Sequence, residues 1–140
     1  MNKKILIVED NPQNRRLIEM VLRNKGYTLF TATDGEEALD TAVRERPDLI
    51  IMDIQIPKIN GLEVTKRLRN TPVFSHTPIV AISAYAMKGD KEKAIDAGCD
   101  EYLSKPIDTR QLPVVIAGML LQWQKNYPGI DGNGQEDPCS

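Results

Sequence analysis

The chain has 140 residues, of which 41% are hydrophobic and 27% charged, and this balance is ordinary for a globular protein. Its length allows one domain with a short remainder. A net charge of −2 argues against a broad basic surface for nucleic acid, and the apolar runs are far too short to span a membrane.

Strand-like and helix-like segments alternate five times along the chain. The first, third and fourth strands are continuous apolar runs, which is typical of strands covered on both faces. The second mixes threonine with apolar residues and is predicted to be an edge strand. We predict strands at 4–9, 27–32, 48–53, 78–83 and 101–104, and helices at 12–25, 35–46, 61–70, 87–97 and 109–124. The alternation predicts a doubly wound α/β fold with a parallel sheet and right-handed crossovers, for which we expect strand order 2-1-3-4-5.

The predicted helices carry apolar stripes that would cover such a sheet. In the last helix the stripe recurs at helical spacing. It consists of Leu112, Val115, Ile116, Met119, Leu120 and Trp123. We assign residues 1–124 to the domain and 125–140, rich in glycine, proline and polar residues, to a flexible C-terminal tail.

Features of the N-terminus and of the cysteines favour a cytoplasmic protein. The segment 5–8 is too short for the apolar region of a secretory signal. Cys99 lies in the domain and Cys139 in the tail, which predicts two free thiols instead of a disulfide framework.

Polar side chains stand at or just past the C-terminal ends of four predicted strands. They are Glu9, Asp10, Asp53, Ser83 and Lys105. These ends share one edge of an open parallel sheet, and ligands bind in the crevice outside that edge. The pattern therefore predicts one pocket with three carboxylates, one hydroxyl and one ammonium.

Three clustered carboxylates repel one another, and a cation relieves that repulsion. Mg²⁺ prefers oxygen ligands, takes one or two carboxylates and keeps water and a phosphate oxygen, so Glu9, Asp10 and Asp53 suit it. Without Asp53, the pair Glu9 and Asp10 would have a simpler interpretation, because Asp10 could cap the helix that begins near Pro12.

Asp53 ends a fully apolar strand, where an ordinary surface carboxylate is not expected. A carboxylate can act as a nucleophile toward phosphorus and form an aspartyl phosphate. Lys105 and Mg²⁺ would supply positive charge, and Ser83 would donate a hydrogen bond to a phosphoryl oxygen. Individually, Ser83 could be a strand-end hydroxyl and Lys105 a solvated charge.

These residues carry a resemblance to a known family. Over residues 3–124 the chain resembles the receiver domain of two-component response regulators. The matching stretches are ILIVEDN (5–11), PDLIIMDIQIPKINGLEV (47–64), PIVAISAYA (78–86) and AGCDEYLSKPI (97–107). The sequence is similar to single-domain regulators of the DivK type and also to receivers attached to hybrid sensor kinases. The resemblance implies the flavodoxin-like strand order 2-1-3-4-5.

The resemblance implies a role for each matching residue. Asp53 matches the phosphoacceptor, and Glu9 and Asp10 match the acidic pair that serves Mg²⁺. The backbone carbonyl of Gln55 matches a further metal ligand, and Lys105 matches the phosphate partner. It also implies a cis peptide between Lys105 and Pro106. Ser83 and Tyr102 match the switch hydroxyl and the switch aromatic residue.

As a receiver, the chain is expected to be a signalling switch that catalyses only its own phosphorylation and dephosphorylation. Its expected partners are a sensor histidine kinase or a histidine phosphotransfer protein and a downstream protein, without direct contact to nucleic acid or membrane. The altered surface would be helix 4, strand 5 and helix 5, in a monomer or a weak phosphorylation-dependent dimer. Gln55 and Tyr85 carry no carboxylate to orient water, so we expect slow to moderate self-dephosphorylation.

Three other functions fit parts of the pattern. A haloacid-dehalogenase-like phosphatase needs a second aspartate two residues past the nucleophile, where this chain has Gln55. A flavin or nucleotide module would place glycine, serine or threonine after the first strand, where Glu9 and Asp10 would repel phosphate. A receiver that no longer accepts phosphate would lack pocket residues that are all present. His76 is predicted to be a surface residue, and Asn60 and Gly61 to form the turn into a helix.

Overall fold

A computed structural model describes residues 3–84 and 89–126 of the chain. The described residues form alternating strands and helices. They are β1 (Lys4–Val8), α1 (Pro12–Arg23), β2 (Thr28–Ala32), α2 (Gly35–Glu45), β3 (Leu49–Asp53), α3 (Gly61–Arg69), β4 (Ile79–Ser83), α4 (Asp90–Ala97), β5 (Glu101–Ser104) and α5 (Gln111–Asn126). A short 3₁₀ turn over Pro72–Phe74, which we did not predict, precedes β4. The predicted tail lies outside the described residues, apart from its first two.

The strands form one parallel sheet in the order β2-β1-β3-β4-β5, which confirms the prediction, including β2 at an edge. Helices lie on both faces. Alternate side chains of the central strands point to opposite sides, so each strand contributes to two separate cores. β1 after its exposed first residue Lys4, and β3 and β4 before Asp53 and Ser83, contain only apolar residues, which follows from this double burial.

One core lies under α1 and α5, where Ile18 and Leu22 pack with Leu112 and Ile116 against the sheet. The other lies under α2, α3 and α4 and includes Val64 among its buried residues. The predicted stripe of α5 is confirmed, because its six members are buried or partly buried. None of the helices in the described residues is long and apolar enough to cross a membrane.

Asparagine side chains cap the N-termini of α1 and α3, which begin at the C-terminal edge of the sheet. The side chain of Asn11 accepts hydrogen bonds from the amides of Gln13 and Asn14, so Asn11, not Asp10, caps α1. Asn60 caps α3 by accepting from the amide of Glu63, which confirms the predicted turn. Asp10 therefore does not cap α1, although the sequence had left that role open.

Arg69, at the end of α3, links the segments that precede β4 and β5 at the N-terminal ends of the strands. Its guanidinium donates to the carbonyls of Gly98, Phe74 and Thr77 at 2.7–2.8 Å and to the carboxylate of Asp100 at 2.9 Å. Four partners from two connecting segments, α3 to β4 and α4 to β5, thus converge on one half-buried side chain. We did not predict this cluster, since its members are far apart in sequence.

Candidate functional site

The three predicted carboxylates meet at the C-terminal edge of the sheet. Asp53 is the last residue of β3 and Glu9 directly follows β1, and both are almost completely buried. Asp10, one residue further, is exposed. One carboxylate oxygen from each of the three residues lies within 4.8 Å of the others. Parallel pairing of β1 with β3 brings them together, because it aligns the ends of the two strands.

Lys105 reaches the same point from the end of β5. Its Nζ lies 2.7 Å from Oε1 of Glu9 and 2.9 Å from Oδ2 of Asp53. Its backbone amide donates to the carbonyl of Ser83 at 2.8 Å, which fixes the start of the loop beside β4. The peptide bond between Lys105 and Pro106 is cis, as the family resemblance implied.

The electrostatics of the cluster favour a cation. Burial, and after it the neighbouring carboxyl of Asp53, raise the pKa of the Glu9 carboxyl to about 7, whereas Lys105 acts in the opposite direction. For the Lys105 ammonium, burial by itself lowers the pKa, but the contacts with Glu9 and Asp53 outweigh burial and raise it. One lysine therefore compensates two buried carboxylates incompletely.

A divalent cation fits these donors. The buried Oε2 of Glu9 has no hydrogen-bond partner among the described residues. An unpartnered buried carboxylate oxygen is costly, and Glu9 belongs to a group of carboxylates of the kind that Mg²⁺ prefers. The exposure of Asp10 leaves one side of the cluster open to water, and Mg²⁺ usually retains several waters.

Gln55 joins the carboxylate of Asp53 to the hydroxyl of Ser83. The backbone amide of Gln55 donates to Oδ1 of Asp53 at 3.0 Å, so both oxygens of Asp53 are bound by donors. The hydroxyl of Ser83 donates to Oε1 of Gln55 at 3.1 Å. Sequence reasoning named Gln55 for its carbonyl and its position, and it missed this side-chain contact. No local signal could have indicated it, since 28 residues separate the two.

The loop between β3 and α3 is fixed on both sides of Gln55. The amide of Gly61 donates to the carbonyl of Ile54 at 2.9 Å, and a Cβ at Gly61 would collide with the backbone oxygen of Asp53. Lys58, with φ +69°, forms ion pairs of 3.6 Å with both Asp34 and Glu36 at the start of α2. These contacts restrict the loop that carries Gln55.

The structure brings together Glu9, Asp10, Asp53, Gln55, Ser83 and Lys105 at one edge of the sheet. Tyr102 lies on β5 next to Ala81 of β4, and it is half-buried against the core under α2, α3 and α4. Tyr85 lies outside the described residues. His76 is exposed, as predicted, and precedes β4 at the opposite edge.

Comparisons with known proteins agree on one family. The family model described as "Response regulator receiver domain" matches residues 5–117. A polar-differentiation response regulator DivK from Brucella anthropi is 48% identical over 120 residues, which cover 86% of this chain and 98% of the relative.

Solved structures give the same result. The receiver domain of sensor histidine kinase PA1611 from Pseudomonas aeruginosa, which has a magnesium ion coordinated in its active site cleft, superposes with a TM-score of 0.79. It is 36% identical, and the match covers 86% of this chain and 98% of that one. The chemotaxis response regulator CheY4 of Vibrio cholerae has a TM-score of 0.80 at 29% identity, covering 85% of this chain and 99% of that one.

The fold, the acidic cluster beside a lysine, the matching family model and a relative that is 48% identical lead to one conclusion. The chain belongs to the response regulator receiver domain family, the signalling switches of two-component phosphorelays.

Proposed function

We propose that this chain is a stand-alone response regulator that accepts a phosphoryl group on Asp53. The donor would be a phosphohistidine of a sensor histidine kinase or of a histidine phosphotransfer protein. In this step an oxygen of Asp53 forms a bond to phosphorus, the bond between phosphorus and the histidine nitrogen breaks, and the imidazole leaves. In self-dephosphorylation, water attacks phosphorus, and Asp53 and inorganic phosphate are released.

The contacts of Asp53 carry this proposal. Lys105 lies 2.9 Å from Oδ2, and the amide of Gln55 lies 3.0 Å from Oδ1, so the carboxylate is oriented before phosphorus arrives. Phosphoryl transfer depends mainly on such positioning and on neutralising the charge of the transferred group. In this proposal Lys105 would neutralise a phosphoryl oxygen once Asp53 is modified.

Mg²⁺ is the cofactor that we propose for this site. The carboxylates of Glu9, Asp10 and Asp53 and the backbone carbonyl of Gln55 would hold it, and the spacing of the three carboxylates supports this assignment. When bound, Mg²⁺ supplies positive charge to the phosphoryl oxygens. The residues themselves then have two tasks: Asp53 attacks phosphorus, and Lys105 binds the transferred group.

The signal is proposed to pass from the new charge to the surface of α4, β5 and α5. A phosphoryl group adds about −1.5 to −2 charge. The hydroxyl of Ser83 would turn to donate to it, and Tyr102 would move into the space that Ser83 leaves. A shift from 1:99 to 99:1 requires about 5.5 kcal/mol of differential stabilisation. A few charge-assisted hydrogen bonds of about 1.5–3 kcal/mol each can provide this.

The remaining proposals concern the setting. We propose a cytoplasmic protein that binds a downstream protein, as a monomer or a weak phosphorylation-dependent dimer, without direct contact to nucleic acid or membrane. The net charge of −2 supports the exclusion of nucleic acid. Self-dephosphorylation is proposed to be slow to moderate, since Gln55 offers an amide where a carboxylate could orient water. A phosphate lifetime of only seconds would contradict this last point.

The decisive experiment is incubation with Mg²⁺ and a small phosphodonor, followed by intact mass measurement and peptide mapping. We expect one phosphoryl group on Asp53 in the wild type and none in the Asp53→Asn variant. Asp96→Asn, which changes an exposed aspartate of α4, is the matched control and should be phosphorylated like the wild type. Modification of another residue, or none, would refute the proposal.

A further inference from the structure

The side chain of Gln55 contacts the one hydroxyl that the proposed switch has to move. Ser83 ends β4 and is fully buried, and its Oγ donates to Oε1 of Gln55 at 3.1 Å. Gln55 itself is exposed, but its backbone amide is fixed by the hydrogen bond to Asp53 at 3.0 Å. Gln55 thus contacts Asp53 through its backbone amide and Ser83 through its side-chain oxygen.

A serine hydroxyl has a single proton to donate. While that proton is directed to Oε1 of Gln55, it is unavailable to an oxygen of a phosphoryl group on Asp53. The two acceptors therefore compete for the same donor. Breaking the bond to Gln55 is part of the cost of turning Ser83 toward the phosphoryl group, and an ordinary hydrogen bond contributes a modest net stabilisation.

We propose that the side-chain amide of Gln55 is a latch that stabilises the unphosphorylated conformation by holding the hydroxyl of Ser83. The inference rests on the proposed phosphoacceptor function and adds a regulatory role for the Gln55 side chain, separate from its backbone carbonyl. Gln55 is in this sense a positioning residue, because it acts on the signal through Ser83. A chain without an acceptor at this position would switch at a lower cost.

Gln55→Leu tests the latch, because leucine has a similar size and no hydrogen-bond acceptor, and it leaves the backbone amide and carbonyl in place. NMR titration at saturating Mg²⁺ measures the affinity for beryllofluoride, an acyl-phosphate mimic. We expect Gln55→Leu to bind about two- to tenfold more tightly than the wild type, the range that one net hydrogen bond represents. Circular dichroism establishes that each variant is folded.

A double-mutant cycle with Ser83→Ala separates the latch from other effects of leucine. In the Ser83→Ala background, Gln55→Leu should leave the affinity for beryllofluoride unchanged. Urea unfolding of the unphosphorylated, metal-free proteins gives a second readout that does not depend on the mimic. There Gln55→Leu should lower the folding equilibrium constant by about the same two- to tenfold factor, again only when Ser83 is present.

The outcomes distinguish the latch from the function on which it rests. If the wild type binds beryllofluoride and Gln55→Leu binds it equally well, the latch is wrong and the phosphoacceptor function stands. The same holds if Gln55→Leu has equal effects with and without Ser83. If the wild type binds no more beryllofluoride than Asp53→Asn does, the phosphoacceptor function fails, and the latch fails with it.

Discussion

The ammonium of Lys105 lies 2.9 Å from Oδ2 of Asp53 and joins the end of β5 to the end of β3 across the intervening strand. The same nitrogen lies 2.7 Å from Glu9. Two buried carboxylates thus share one cation when no metal is bound. The charge balance of the site therefore affects the stability of the fold as well as the reaction at Asp53.

Replacing that cation should destabilise the metal-free protein. Lys105→Met keeps the length of the side chain and removes its charge, so Glu9 and Asp53 lose their shared partner. We expect the free energy of unfolding to fall by about 1–3 kcal/mol in urea, with part of the loss recovered by Mg²⁺. Lys93→Met, on the exposed part of α4, is the control and should change stability by less than about 0.5 kcal/mol. Equal stability of the two variants would contradict the prediction.

Mg²⁺ should stabilise the wild type, because a ligand that binds only the folded state shifts the unfolding equilibrium. At a concentration about 100 times the dissociation constant, the gain is about 2.7 kcal/mol. Asp10→Asn removes one carboxylate and should weaken Mg²⁺ binding at least severalfold. The difference between the melting temperatures in Mg²⁺ and in a chelator should therefore be smaller for this variant than for the wild type. The control Asp96→Asn should respond to Mg²⁺ as the wild type does. A wild-type melting curve unaffected by Mg²⁺ would refute the metal site.

Gly61 is expected to tolerate no side chain, because a Cβ there would collide with the backbone of Asp53 and Ile54. Gly61→Ala should destabilise the fold by about 1–3 kcal/mol. It should also slow phosphorylation from a small donor by displacing Asp53. Gly118→Ala on α5 is the matched control, since a Cβ there meets nothing within 4 Å. That variant should gain about 0.5–1 kcal/mol from its higher helix propensity. A neutral Gly61→Ala in both assays would show that the loop can adjust.

Arg69 should contribute to stability far from the phosphoacceptor edge. Arg69→Met would remove the hydrogen bonds that the guanidinium donates to three backbone carbonyls and to Asp100, at a cost of about 2–4 kcal/mol in urea unfolding. Arg69→Lys should recover little, because an ammonium cannot reproduce the planar set of donors. Arg67→Met, which loses a surface ion pair of 3.7 Å with Glu63, is the control and should cost about 0.5 kcal/mol or less.

Cys99 should make stability depend on pH at the alkaline end. Burial raises the pKa of its thiol, so the unfolded chain releases the thiol proton at a lower pH than the folded protein. Stability should therefore fall as pH rises above about 9, by up to about 1.4 kcal/mol per pH unit relative to Cys99→Ala. Urea unfolding of both proteins at pH 8 and pH 10 measures the difference. Parallel pH profiles would show that the thiol ionises equally in both states.

Local sequence patterns were sufficient for the five strands and the five α-helices, whereas the expected strand order rested on the fold class and on the resemblance to receiver domains. Apolar runs in β1, β3 and β4 and the stripe of α5 predicted buried strands and a packed helix. Burial of a strand on both faces leaves a continuous apolar run, and burial of a helix on one face leaves a periodic stripe. The bounds differ by a few residues. α5, for example, runs over Gln111–Asn126 instead of 109–124. The pocket residues Glu9, Asp10, Asp53, Ser83 and Lys105 were also predicted, since strand ends in a parallel sheet share one edge.

Contacts between distant side chains were decided only in the folded chain. The hydrogen bond from Ser83 to Gln55 and the four bonds of Arg69 leave no periodic or compositional trace. They depend on how loops from different strands approach one another once the sheet has formed. The sequence by itself determined which groups reach the edge, through strand periodicity and order. The tertiary structure decided which atoms pair there, because hydrogen bonds depend on distances and angles that strand order alone does not set.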